Sequence, residues 1–248
     1  MNSLQTCREG IGVRKKMTTE LLLKDLNRHI DISCVKGSHT RADIDSMLQY
    51  AKKYQFIGVF AMPCYTSYII EQLNGEPFIK PGGVVGFPAG CDTTRSKTEQ
   101  AKELVHMGCQ ELDMVMAYGM LKSGAYDYVL EDIKRVVSAG DGLPVKVIIE
   151  APCLNDYEIA KACELSVRAG AAFVKSGTGW AKTPSTVHMI RLMKDTVGER
   201  AFIKAAGGIR SLSVIMEMRE LGCERFGMGV NSAVSVMKEL EAYRQKQT

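Results

Sequence analysis

The feature that most constrains this chain is an alternation repeated eight times, a short β-rich run followed by a segment with helical periodicity. The runs span 29–34 (HIDISC), 56–62 (FIGVFAM), 83–87 (GVVGF), 111–116 (ELDMVM), 144–150 (PVKVIIE), 172–177 (AFVKSG), 201–207 (AFIKAAG) and 225–229 (RFGMG). Strands separated by crossover helices are parallel, and eight such units close into a (β/α)₈ TIM barrel. The 248 residues match the ~250 typical of one such barrel. Gly108, Gly170 and Gly222 stand where helices should stop. One helical segment is expected from Tyr118 to Ser138, and a short helix in MTTELLLKDLNRHI is expected to close the barrel bottom. The expected organisation is a leader over residues 1–16 and a single barrel domain over 17–248, with an open doubly wound sheet as the structural alternative.

Charge and composition narrow the function. The net charge is +4, but residues 1–16 carry Arg8, Arg14, Lys15 and Lys16 against Glu9, a balance of +3. The rest of the chain is nearly neutral, so the basic excess does not argue for a nucleic-acid partner. No apolar stretch is long enough to span a bilayer, and the N-terminus has no signal-peptide core, so no membrane partner and a cytoplasmic location are expected. The eight cysteines include no CxxC pair and read as reduced thiols, mostly small hydrophobes. The four histidines share no ligand-like spacing, and no metal site is expected.

The strands themselves break the pattern that a bland barrel would show. A parallel barrel strand is buried on both faces and should be apolar throughout. Alternation instead places Asp113 with Val115, Lys146 with Ile148 and Glu150, Phe173 with Lys175, and Phe202 with Lys204 on the inner face. Burying an ion costs several kcal/mol unless it is paired, so such charges read as catalytic equipment more readily than as filler. Lys175 and Lys204 fall on adjacent strands, whose axes are ~4.8 Å apart. A neighbouring ammonium and burial both disfavour the charged form, so the pair should yield one neutral, nucleophilic amine near neutral pH.

Glycine-rich turns follow the last strands: SGTG (176–179, containing Thr178), AGG (206–208) and GMG (227–229). Loops at this end of a barrel often bind phosphate through backbone N–H groups. Gly207, Gly208, Gly227 and Gly229 are therefore candidates, with Arg210 as an anion partner.

Taken together, GFPAG (86–90), ELDMVMAYGMLKSG (111–124), KVIIE (146–150), CELSVRAGAAFVKSGTG (163–179) and IKAAGGIR (203–210) resemble the 2-deoxyribose-5-phosphate aldolase family, from about Asp31 to Lys238. The resemblance implies a metal-independent Schiff-base aldolase that needs no cofactor. In it Lys175 is the covalent lysine, Lys204 the lysine that perturbs it, and Asp113 the acid/base. Asp31, Lys146, Glu150 and Thr178 join the glycines and Arg210 as expected substrate-binding residues. The implied partner is a small sugar phosphate or related aldehyde or ketone; apart from the resemblance, a homodimer is the expected assembly. The chain departs from the family's pattern at Ile32–Val35, Phe60, Met62, Ser176–Trp180 and Gly227–Val230. These departures predict a rebuilt substrate wall, with Lys182 reaching back to compensate for a lost phosphate-site serine. A same-mechanism aldolase acting on another substrate, and a non-catalytic sugar-binding relative, are the competing readings.

Overall fold

The computed structural model describes residues 23–247. Eight parallel strands close into a barrel in sequence order: β1 (Ile30–Cys34), β2 (Gly58–Ala61), β3 (Lys80–Val85), β4 (Glu111–Val115), β5 (Val145–Ile148), β6 (Phe173–Lys175), β7 (Phe202–Ala206) and β8 (Cys223–Gly229). The ring is completed by pairing of β8 with β1. The outward-facing residues of the strands, among them Ile32, Val59, Leu112, Met114, Val147, Val174, Ile203 and Phe226, are fully buried in one apolar core against the surrounding helices. Each such side chain contributes roughly 1.5–3 kcal/mol by leaving water, which makes the alternation binding on the inner face as well.

The helices are α1 (Arg41–Tyr54), α2 (Thr66–Gln72), α3 (Thr94–Met107), α4 (Tyr118–Lys122), α5 (Tyr126–Ala139), α6 (Asp156–Arg168), α7 (Val187–Val197), α8 (Leu212–Glu220) and α9 (Val230–Gln245). Local chemistry sets their starts. Thr40 with Asp43, and Asn155 with Glu158, form capping boxes at α1 and α6, each satisfying two otherwise orphaned N–H groups. The single helix expected from Tyr118 to Ser138 is instead two, because the chain turns through Gly124 at φ +76° between α4 and α5.

The leader over residues 1–16 and most of the helix expected before β1 lie outside the described residues. What is described there is a 3-10 turn, Leu26–His29, that leads directly into β1. Arg28 donates to the carbonyls of Gln55 (2.8 Å) and Phe78 (2.7 Å), tying this turn to the chain ahead of β2 and β3 at the N-terminal end of the barrel. Among the described residues no helix is long and apolar enough to cross a membrane. Seven of the eight cysteines are described, all as free thiols, with Cys34, Cys109, Cys163 and Cys223 buried.

Candidate active site

The inner face of the barrel carries a connected set of charges. Strand register places Asp113 beside Lys146, and Lys175 beside Lys204. Asp113 Oδ2 accepts hydrogen bonds from both Lys175 Nζ and Lys204 Nζ, each at 2.7 Å, while its Oδ1 accepts from Lys146 Nζ at 3.1 Å. Asp113 is fully buried, and Lys175 lines a cavity of about 400 Å³ at the C-terminal end of the strands. Lys204 and Asp31 reach the floor of the same cavity, whereas Asp113 and Lys146 lie beneath it.

Two more charges complete the network from below. Arg225 Nη2 donates to Asp31 Oδ1 (2.6 Å) and Glu111 Oε2 (2.8 Å), and Lys146 donates to Glu111 Oε2 (2.6 Å). Lys80 reaches Glu111 from the half-open rim at 3.1 Å. Lys204 Nζ also lies 2.6 Å from Asp31 Oδ2. That approach is not aligned as a hydrogen bond, so the oxygen is held by charge alone. Glu111 and Arg225 escaped the sequence reading although they sit two residues before Asp113 and Gly227, on the same strand phase.

The electrostatics follow from burial opposed by these neighbours. Burial pushes the Asp113 carboxyl up, but Lys146, Lys175 and Lys204 overcome it and hold it well below the usual range. Asp31, likewise buried, is held at about 2 by Lys204 and Arg225. Lys146 is raised, because Asp113, Asp31 and Glu111 outweigh its burial. Lys204 goes the other way, down to about 8: burial dominates, the carboxylates oppose it, and Lys175 and Lys146 add repulsion. Of the expected lysine pair, Lys204 is thus a group whose charge exchanges near neutrality.

Glycines shape the space above the lysines. A Cβ on Gly227 would meet Ala206 Cβ at 2.9 Å and Lys204 Cε at 3.3 Å, so its absence keeps the floor open. Gly82 faces Phe60 by register, and a Cβ there would stand 2.1 Å from the Phe60 ring. The ring fills that gap and lies beneath two cations, 4.3 Å from Lys204 Nζ and 4.8 Å from Lys146 Nζ. Thr178, Gly207, Gly208, Arg210, Gly227 and Gly229 all line the cavity. Gly229 is the N-cap of α9 and offers no side-chain cap, leaving the first-turn N–H groups of that helix without one.

Three expected placements are corrected. Glu150 does not point into the barrel beside Lys146: strand β5 ends at Ile148, and Glu150 takes the left-handed conformation at φ +53°. Its buried carboxylate accepts from Thr178 N at 3.3 Å and lines a neighbouring cavity of about 250 Å³ instead. Lys182 lines that second cavity and not the first. Phe202 has the expected phase but is 58% exposed, because it is the first residue of β7 at the open bottom of the barrel, against Phe173 with ring centroids 5.1 Å apart. Among the described residues no group of three or more histidine, cysteine, aspartate or glutamate side chains could hold a metal.

A closed (β/α)₈ barrel with this inner face, compared with known proteins, defines a carbon–carbon lyase of the aldolase type. The chain belongs to the DeoC/LacD family of aldolases, whose profile matches residues 40–232. It is 40% identical over 223 residues to the deoxyribose-phosphate aldolase of Klebsiella pneumoniae subsp. pneumoniae, covering 88% of this chain and 89% of that one. With the deoxyribose-phosphate aldolase of Carboxydothermus hydrogenoformans it shares 46% identity over 215 residues, 85% of this chain and 93% of the relative. Among solved structures, the tetrameric deoxyribose phosphate aldolase of Aeropyrum pernix superposes with a TM-score of 0.77 at 26% identity, covering 92% of this chain and 99% of that one.

Proposed function

We propose that this protein cleaves 2-deoxyribose 5-phosphate to acetaldehyde and glyceraldehyde 3-phosphate through a Schiff base on Lys175. The observation that carries the reading is the shared Asp113 Oδ2, 2.7 Å from both Lys175 and Lys204. It holds two amines side by side, and only Lys175 and Lys204 of the buried trio around Asp113 face the cavity.

In this reading Lys175 Nζ adds through its lone pair to the C1 aldehyde of the open-chain sugar, and loss of water leaves an iminium. The C3 hydroxyl gives up its proton, the C2–C3 bond breaks, and its electrons flow into the iminium to form an enamine. Glyceraldehyde 3-phosphate leaves with the new carbonyl. The enamine takes a proton at carbon, and water hydrolyses the resulting iminium to acetaldehyde and free Lys175. Asp113 lies beneath the cavity, so Lys204 relays protons between it and the substrate. A group titrating at about 8 is well matched to transfer near neutral pH. Glu150, bonded to Thr178 N, steadies the loop that follows Lys175.

The reading carries with it a cytoplasmic setting, a sugar phosphate as partner and self-association as a homodimer, the last measurable by light scattering. Its direct test is a retro-aldol assay with acetaldehyde detection, followed by borohydride trapping. The expected result is acetaldehyde from deoxyribose 5-phosphate and an added mass on the peptide containing Lys175. Trapping on Lys204, or no acetaldehyde from this sugar while another substrate is cleaved, would overturn it.

A further inference from the structure

Barrel closure brings two distant loops together over the mouth of the cavity. Strands β6, β7, β8 and β1 are successive neighbours, with Ser33 of β1 beside Gly229 of β8. The loop after β1 carries Val35 and Lys36, and the loop after β6 carries Gly179 and Trp180. Lys36 Nζ donates to Gly179 O at 3.1 Å and lies 4.4 Å from the centroid of the Trp180 ring. Reciprocally, Trp180 Nε1–H donates to Val35 O at 3.0 Å. A latch from β1 to β6 must pass above the ends of β8 and β7, where Gly207, Gly208 and the first turn of α9 line the same cavity as Lys36.

The partners of Lys36 are weak ones for an ammonium. A carbonyl oxygen and an aromatic face are neutral, and among the described residues Lys36 has no carboxylate ion-pair partner. Asp43, which lines the same wall, is engaged by Thr40 N and Thr40 Oγ1 at 2.7 Å each. A charged oxygen arriving below would offer a hydrogen bond about twice as strong as a neutral one. Lysine, a point charge on a flexible stem, can swing to it.

We propose that Lys36, parked on Gly179 and Trp180, is the residue that reads the phosphate end of the substrate, and that the two loops close over that end. The proposal rests on the aldolase reading above for the identity of the substrate, but not for the anion contact itself. It replaces Lys182, which faces the neighbouring cavity, as the cation that compensates for the serine missing at Gly229–Val230.

Trp180 is the chain's one tryptophan, so its fluorescence reports on the latch directly. Titrating the full-length protein with inorganic phosphate at constant ionic strength should give a saturable change in emission as Lys36 leaves the ring, and Lys36→Met should abolish it. In kinetics, the ratio of kcat/KM for deoxyribose 5-phosphate to that for deoxyribose should fall about tenfold or more in Lys36→Met, the value of one charge-assisted hydrogen bond. Lys182→Met should leave that ratio in place. An emission change that survives Lys36→Met, no change in the unaltered protein, or a ratio that moves with Lys182 and not Lys36 would each overturn the proposal. If neither sugar is cleaved, the aldolase reading falls while the phosphate titration still decides the role of Lys36.

Discussion

Two buried lysine–aspartate contacts in this barrel look alike and behave differently. Between α3 and α5, Lys97 Nζ donates to Asp132 Oδ2 (2.7 Å) and to Val115 O (3.1 Å), and Thr94 Oγ1 donates to Asp132 Oδ1 (2.8 Å). Both charged side chains are completely buried, one cation faces one anion, and both carboxylate oxygens are used. Inside the barrel, Asp113 is shared by three lysines. The buried members of the inner network set Lys146, Lys175, Lys204 and Arg225 against Asp31, Glu111 and Asp113, with Lys80 joining from the rim. Four cations to three anions leave an unbalanced positive charge that burial makes expensive, and releasing a lysine proton relieves it. Burial of charge is common to both sites. Imbalance, together with a cavity above, is what separates chemistry from structure.

The largest effect that would sharpen this contrast is at Lys175. Lys175→Met should lower kcat/KM by roughly 10³–10⁴-fold or more and remove borohydride trapping, because Lys204 lies at the cavity floor, held between Asp31 and Asp113. Circular dichroism should show the fold retained. Residual trapping in the variant would mean that Lys204 also reaches the carbonyl, and the contrast between the two lysines would be lost.

Lys97→Met attacks the other side. It strands Asp132 in the interior, and breaking one partner of a buried pair costs about 3–5 kcal/mol. Urea unfolding should register that loss, and Lys97→Met/Asp132→Leu should recover most of it, because a balanced pair can be exchanged for apolar packing. A double variant as unstable as the single one would show that the Val115 and Thr94 contacts matter more than the charge balance.

Lys204→Leu is expected to be intermediate, about 10²-fold at neutral pH. It removes the group that titrates at about 8 and is placed to relay protons, so the limb of the pH–rate profile that belongs to Lys204 should be lost. The same residue sets a stability signature. Its folded-state pKa, about 8, lies below the ~10.4 of an unfolded lysine. Between those values the unfolded chain binds the extra proton, so this residue makes stability rise with pH, by up to about 1.4 kcal/mol per unit. Unfolding measured from pH 8 to 10 should show a shallower rise in Lys204→Leu. Parallel curves would mean that Lys204 does not titrate there.

Much of this arrangement was readable from strand phase alone. Asp113, Lys146 and Lys204 each sit between outward-facing apolar residues, and Lys175 follows outward-facing Val174, so alternation assigns all four to the interior. Glu150 was misplaced because alternation holds only while the backbone is extended, and the chain leaves β5 after Ile148. Arg225 and Glu111 sit at or near the starts of their strands, where the local pattern gives no apolar partner on both sides. Arg225 lies beyond a register shift between Ile203 and Lys204, so its pairing with Lys204 is a property of the closed barrel. The Lys36–Trp180 latch joins residues 144 positions apart, and no periodicity within one segment can signal it.

The smallest expected effect concerns the mouth of the cavity, where donors are left unsatisfied instead of saturated. Gly229 has φ −69° and ψ 160°, a conformation open to any residue, and nothing lies within 4 Å of a Cβ added there. Gly229→Ser should therefore fold without strain and, as an N-cap, stabilise α9 by a few tenths of a kcal/mol over glycine. Its effect on phosphate preference should be slight. The new hydroxyl can donate one hydrogen bond to an anion, but as a cap it accepts from an N–H of the first helical turn that would otherwise face that anion. One donor gained against one withdrawn leaves the preference within about threefold, since a net hydrogen bond is worth only about 1 kcal/mol. Thermal unfolding and the ratio of kcat/KM for deoxyribose 5-phosphate to deoxyribose measure the two parts separately. A tenfold rise in that ratio would show that the hydroxyl serves the anion without capping the helix, and that the mouth of the cavity was short of a donor that Lys36 does not supply.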